Sequence, residues 1–227
     1  MRLASLFSGG KDSVFSMYKV INQGHELVCL VTIISKNPES YMYHVPNIEL
    51  TKLQAEALEL PMIARTSAGV KEDELADLEL AIQEAIEQYK IEGIVSGAIY
   101  SNYQRRRIEN ICDKLGLESM VPLWKLKPKE MLLDMVGSGF KIIMSAVAAG
   151  GLEAEWLGRE ITMKRIEELS KLHETCYVCT GGEGGEFETF VLDCPLFKKQ
   201  IQVIDAEPHW DGQAGWYEIK RGALIEK

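Results

Sequence analysis

Ser8-Gly9-Gly10-Lys11-Asp12-Ser13 places two glycines, a lysine and two hydroxyls in one short turn, a set of residues suited to gripping an anion. Glycine tolerates positive φ and lets backbone approach a ligand, and Lys11 adds a charge. Leu3-Ala4-Ser5-Leu6-Phe7 before the turn reads as a buried strand, and Val14, Met17, Tyr18 and Ile21 after it recur at helical spacing. A turn between a strand and a helix N-terminus aims unpaired N–H groups and the positive end of the helix dipole at its guest. The expected guest is a phosphate group held by Lys11, with Asp12 positioning magnesium or its water. The plainer alternative is a Gly-Gly turn with Asp12 or Ser13 capping the helix.

Two further clusters carry chemistry. In Ser101-Asn102-Tyr103-Gln104-Arg105-Arg106-Arg107-Ile108-Glu109, three arginines sit near a helix N-terminus, where the dipole favours acids. An anion or an acidic partner would offset that cost. Gln104 falls on the buried stripe with Ile108, Ile111 and Cys112, at about 100° per residue, and Arg106 points away. Arg105 with Glu109 reads as an i, i+4 pair, and Arg107 is assigned to function. The second cluster is Gly181-Gly182-Glu183-Gly184-Gly185-Glu186-Phe187-Glu188-Thr189-Phe190. Strand alternation places Glu186 and Glu188 on one face about 7 Å apart. Neighbouring carboxylates repel unless a cation separates them or one takes a proton, so magnesium, ammonium or a cationic substrate group is expected there. An exposed face of an acidic protein remains the alternative.

The chain lacks the Walker A spacing and has no G-x-G-x-x-G after its first strand. SGGKDS instead resembles the PP-loop of the ATP pyrophosphatases, which implies cleavage of ATP to AMP and pyrophosphate.

Around these motifs, apolar runs alternate with amphipathic stretches. Leu27–Ile34, Met62–Ala64 and Gly93–Ala98 read as strands, and Ile48–Leu60, Glu72–Tyr89 and Ser101–Leu115 as helices. This alternation predicts an α/β fold with a doubly wound parallel sheet. SGGKDS, the Ser35–Asn47 loop and Gly97–Tyr103 all follow strand carboxyl ends, where such sheets bind ligands, so they should share one crevice. Charge and proline in Trp124–Lys129 interrupt the pattern, giving domains 1–124 and 125–227. The smaller C-terminal α+β domain should contain helices at Pro128–Val136 and Arg159–Glu174. Its strands should be Phe140–Ala148, Glu186–Leu192, Gln200–Ile204 and Trp216–Lys220.

The 227 residues are 46% hydrophobic and 26% charged, which fits a soluble globular protein. A net charge of −9 argues against stable nucleic-acid or anionic-membrane binding. Five cysteines, no signal-peptide pattern and no bilayer-length apolar run suggest reduced thiols and a cytoplasmic location. A homo-oligomer is compatible with the composition.

Ser40-Tyr41-Met42-Tyr43-His44, Tyr103-Gln104-x-x-Arg107-x-Glu109, Pro122-Leu123-Trp124 and EGGEFETF (183–190) follow SGGKDS in order. Together they resemble the diphthine–ammonia ligase family from Leu6 to Asp193. The resemblance implies a PP-loop (adenine nucleotide α hydrolase-like) domain with a C-terminal domain closing a cleft over ATP and Mg2+. It implies adenylation of the carboxylate of diphthine on elongation factor 2, followed by displacement of AMP by ammonia. Ser8, Gly9, Gly10, Lys11, Asp12, Ser13 and Gly97 would then hold the nucleotide, with Asp12 at the metal. His44, Tyr103, Gln104, Arg107, Glu109, Glu183, Glu186, Glu188 and Thr189 would meet the substrate. Lys11, Asp12, Arg107, Glu186 and Glu188 would carry the chemistry, with the two glutamates on the amine side.

Cys176-Tyr177-Val178-Cys179 is not required by that family. Its CxxC spacing is either half a metal site or redox pair, or small buried residues before a strand. Two rival functions stay open: a tRNA-thiolating PP-loop enzyme, which would employ these cysteines, and a nucleotide-binding module without catalysis.

Overall fold

The apolar runs of the first half assemble into a parallel sheet of five strands: β1 (Arg2–Leu6), β2 (Glu26–Ser35), β3 (Met62–Ser67), β4 (Gly93–Val95) and β5 (Glu118–Met120). Their order is β3-β2-β1-β4-β5 in this computed structural model, which describes residues 1–36, 46–69 and 73–227. Side chains alternate faces along each strand. Leu3, Leu30 and Val95 enter one core and Ala4, Cys29, Val31 and Ile94 the other. Helices α1 (Lys11–Asn22) and α2 (Thr51–Leu58) cover the first face, while α3 (Asp73–Tyr89) and α4 (Asn102–Leu115) cover the second. Burial on both faces is what an all-parallel sheet requires. The strand order reverses between β1 and β4, so the carboxyl ends of these two strands flank the natural ligand crevice.

A second, antiparallel sheet has the order β7-β6-β9-β8, from β6 (Lys141–Val147), β7 (Phe187–Asp193), β8 (Gln200–Trp210) and β9 (Gly215–Ile225). Helices α5 (Pro128–Gly137) and α6 (Met163–Cys176) belong to this half. The two halves share one core. Val14, Phe15 and Met17 of α1 cluster with Met131, Leu132, Phe140, Ile142 and Phe190. The Phe140 ring meets those of Phe15 and Tyr18 edge-on at 5.5 and 5.7 Å, and Lys19 Nζ bridges to Asp134 at 2.5 Å. Each such buried apolar side chain contributes about 1.5–3 kcal/mol, so the halves are joined hydrophobically. Among the described residues, no helix is long and apolar enough to cross a membrane.

Several elements differ from the sequence expectation: β3 and β9 run further, to Ser67 and Ile225, and β4 stops at Val95. The edge strand β5 was not foreseen, because Glu118-Ser119-Met120 carries no apolar alternation. Strand β8 continues to Trp210 in a ribbon with β9, through a charged stretch with Pro208, which the hydropathy pattern ends at Ile204. Helix α6 begins at Met163 rather than Arg159. Arg159 O accepts from the Met144 N–H and the Ile161 N–H donates to Ile142 O, so this stretch pairs with β6, and Thr162 caps the helix that follows.

Candidate active site

Strand β1 ends at Leu6, and residues 7–10 turn the chain into α1. Gly9 adopts φ +77°, the left-handed region that favours glycine. A Cβ there would lie 2.2 Å from Gln54 Oε1. Gln54, fully buried on α2, donates through Nε2 to Gly9 O at 2.9 Å and to Val191 O of β7 at 2.8 Å. The Val191 N–H also donates to Gly9 O, at 3.1 Å. The turn is therefore fastened from behind by the second sheet. Gln54 belongs to the buried stripe Thr51, Gln54, Ala55, Leu58, and a glutamine in such a stripe is a signal that sequence reasoning missed.

The hydroxyls of the turn are already engaged. Ser13 Oγ donates to Gly10 O at 2.9 Å and lies 3.2 Å from Ser8 Oγ. The first helical N–H, that of Lys11, donates to Thr189 Oγ1 at 3.0 Å. Lys11 does not project into solvent, as a surface turn would have it. Its side chain is buried, with Nζ 2.8 Å from Asp12 Oδ2 and 5.6 Å from the Phe187 ring centroid. Asp12 Oδ1 is buried with no hydrogen-bond partner among the described residues. Just after β4, Gly97 presses on the same helix start: a Cβ there would lie 2.7 Å from the Asp12 carbonyl carbon, so only glycine fits.

The turn opens on a cleft of about 820 Å3. Ser8, Lys11, Asp12 and Ser13 form one wall, Gly97 to Ser101 with Gln104 a second, and Gly182 to Gly185 with Phe187, Glu188 and Thr189 a third. The expected convergence of SGGKDS with the segment after β4 is thus present. His44 and the Ser40–His44 motif lie outside the described residues.

The acidic strand sorts its carboxylates. Glu186 turns back into its own loop, accepting from the Cys179 and Gly184 N–H groups at 3.0 and 2.8 Å, and does not line the cleft. Glu183 reaches the cleft, with Oε2 3.5 Å from Cys179 Sγ and Oε1 buried without a partner among the described residues. Burial raises the Glu183 pKa, with Lys11 opposing the shift. Glu188 opens into the cleft and makes no hydrogen bond or ion pair to the described residues. Its side chain is open to solvent at the cleft, yet the protein atoms lining the cleft desolvate the carboxyl enough to push it up to about 7, against a smaller opposing effect of Lys11. Thr189 is buried and spends its hydroxyl on Lys11.

Helix α4 divides the remaining candidates by phase. Ser101, Gln104 and Ile108 face the cleft. Arg107 falls with Ile111 and Lys114 on the side toward α3, and its guanidinium stacks 3.4 Å over the Tyr103 ring. Glu109 pairs with Arg105 at 2.6 Å, and Arg105 in turn lies over Trp124 at 4.6 Å. Tyr103, Arg107 and Glu109 therefore do not line the cleft, contrary to the expectation from their motif. At about 100° per residue, members of one short motif point to different sides of the helix.

Four of the five thiols are held in their neutral form. Desolvation raises Cys29 to about 12 and Cys112 and Cys194 to about 11, and it also raises Cys179. Cys176 and Cys179 are free, and Cys176 is exposed rather than buried before the strand. Nucleophilic sulfur chemistry needs a thiolate, which these surroundings disfavour.

A parallel α/β sheet with a glycine-rich turn at its switch point, closed by a strand of the second sheet, is a PP-loop type of arrangement. The sequence comparisons make the class specific. Residues 1–119 match the diphthamide synthase N-terminal domain and residues 127–225 the diphthamide synthase C-terminal domain. The chain belongs to the diphthamide synthase family. A relative from Mus musculus named diphthine--ammonia ligase is 39% identical over 228 residues, covering 91% of this chain and 84% of its own. One of the same name from Rattus norvegicus is 40% identical over 230 residues, with the same coverage. A solved structure, described as a predicted subunit of tRNA methyltransferase from Methanocaldococcus jannaschii, covers 86% of this chain and 98% of its own. Its TM-score is 0.43 at 17% identity. That likeness carries no functional argument.

Proposed function

We propose that this protein is an AMP-forming acid–ammonia ligase that converts diphthine on elongation factor 2 to diphthamide. ATP adenylates the diphthine carboxylate and releases pyrophosphate, and ammonia then displaces AMP to leave the amide. The observation that carries this reading is the meeting of SGGKDS with Glu183 and Glu188 in one cleft, within a chain of this family.

The turn favours adenylation by holding the leaving pyrophosphate. Ser8, Gly9, Gly10, Lys11 and Ser13 would take its oxygens through N–H, hydroxyl and ammonium donors, a preorganised set that costs little reorganisation. To be free for a phosphate, Lys11 must leave Asp12, and this releases a carboxylate with a second oxygen already unpartnered. That donor set fits Mg2+, which when bound neutralises polyphosphate charge; Asp12 would hold it. Gly97 lets the segment after β4 pack against the helix start beside the turn, and Gln104 and Glu183 would meet the acyl substrate. The carboxylates on the third wall repel polyphosphate, so the trimethylammonium of diphthine and the incoming ammonium belong on that side. We place the domain division at 124/125, between the two matched family segments, and a cytoplasmic location accords with an elongation-factor substrate.

The thiolation alternative gains no support from the Cys179 thiol, which burial holds neutral. The deciding experiment incubates the protein with ATP, Mg2+, ammonium and diphthine-bearing elongation factor 2. AMP, pyrophosphate and conversion of the acid to the amide, read by mass spectrometry, are expected. ADP as the main product would sink the proposal.

A further inference from the structure

Ammonium is charged at neutral pH and has no lone pair, so the amidation needs a group in the cleft that removes a proton before attack. We infer that Glu188 is that proton acceptor, an assignment that rests on the ligase reading above. In the balanced step, the Glu188 carboxylate takes a proton from ammonium and becomes a carboxylic acid. The ammonia so formed attacks the acyl-adenylate carbonyl, the bond from that carbon to the AMP oxygen breaks, and AMP departs with its electron pair. The second proton passes from the nitrogen to solvent water as the amide forms, and Glu188 returns its own proton to solvent before the next turnover.

Geometry singles out Glu188 among its neighbours. Glu186 is fixed by two backbone N–H groups and faces away from the cleft. One oxygen of Asp12 is bound to Lys11, and Asp12 is needed at the phosphates. Glu183 shares a hydrogen bond with the Cys179 thiol. Glu188 alone of these opens into the cleft with both oxygens free of partners among the described residues. The strand also sets its position: Thr189, the next residue, holds the first N–H of the nucleotide turn at 3.0 Å, so the base is fixed relative to where the nucleotide would bind. The charged groups that share these walls are Lys11, Asp12 and Glu183. Their balance is one cation against two anions besides Glu188 itself, which draws a small cation toward the site. A carboxyl raised to about 7 is a better base than an ordinary one and is still substantially ionised at neutral pH.

The test compares two nucleophiles. Hydroxylamine is a much weaker base than ammonia, is neutral at pH 7, and needs no group to unmask it. In Glu188→Gln, amidation with ammonium at pH 7 should fall about 10²-fold or more, the usual contribution of a general base. Hydroxamate formation from the same protein substrate, with its AMP release, should stay within a few-fold of the unchanged protein. Raising the pH toward 9 should recover much of the variant's ammonium reaction, as free ammonia then forms in solution. An equal loss with both nucleophiles would overturn the assignment, and with a raised KM for elongation factor 2 it would make Glu188 a contact for the trimethylammonium. An unchanged ammonium rate would overturn it as well. If the unchanged protein forms neither amide nor hydroxamate, it is the ligase reading that fails.

Discussion

Two glycine-rich turns border the cleft, and they dispose of their N–H groups in opposite ways. At Ser8–Ser13 the acceptors are neutral hydroxyls: Thr189 Oγ1 for Lys11 at 3.0 Å, Ser8 Oγ for Gly10 at 3.4 Å and Ser13 Oγ for Ser8 at 3.4 Å. At Cys179–Glu186 the turn carries its own carboxylate, with Glu186 taking the N–H groups of Cys179 and Gly184. A charge-assisted bond is about twice as strong as a neutral one, so phosphate can displace the hydroxyls of the first turn, whereas the second is already satisfied by an anion. Glycine content alone does not make an anion site. What counts is whether the fold has filled the donors, and with what.

The largest effect should come from the first turn. Lys11→Ala should lower turnover by about 10²–10³-fold, the cost of removing one preorganised donor at a developing charge, and Asp12→Ala should lower it comparably by removing the carboxylate that would hold Mg2+. AMP release with the protein substrate is the measurement, and circular dichroism checks the fold, since Lys11 is buried and its loss also leaves Asp12 without its partner. Rates near normal would place the phosphates elsewhere.

Next, the two glutamates should separate by phenotype. Glu186→Ala should destabilise the protein by about 1.5–3 kcal/mol, the range for hydrogen bonds to a charged group, and urea unfolding should show it. Glu188→Gln should spare stability at pH 5 and strike the chemistry. Equal stabilities for Glu186→Ala and the unchanged protein would erase the contrast between the turns.

A smaller signal is the pH dependence of stability. The Glu188 carboxyl lies above its ordinary value of 4.5 in the folded state, at about 7, so folding favours its protonated form. Its stabilising contribution is complete below about pH 4.5 and is lost as pH rises through about 7. The melting temperature of Glu188→Gln should therefore exceed that of the unchanged protein by more at pH 8 than at pH 5. A constant difference would mean that the carboxyl titrates normally.

The smallest effect belongs to the CxxC pair. Cys176→Ser with Cys179→Ser should keep amidation within about twofold, because the Cys179 thiol is neutral in its surroundings and is not a nucleophile there. Abolished activity in a folded double variant would return sulfur chemistry to consideration.

The sequence by itself determined the parallel sheet apart from its edge strand β5, because strands covered on both faces are near-continuously apolar, as Leu27 to Ile34 is but for Thr32, and the helices between them show 3.6-residue periodicity. It also determined the turn after β1, since Gly9 and Gly10 act through local backbone geometry. Tertiary structure decided the rest. Whether Arg107 or Gln104 faces the cleft depends on how α4 is rotated against α3, and their shared motif is silent on that. Glu186 and Glu188 have the same side chain at alternate positions of one segment. Only the fold of the preceding glycines shows that the first is consumed by its own loop and the second left free. Gln54 and Thr189 tie the turn to a strand far away in sequence, at separations of 137 and 178 residues from their partners Val191 and Lys11. Hydrogen bonds across such distances leave no periodicity in the chain, because they exist only once the two sheets have packed on a common core.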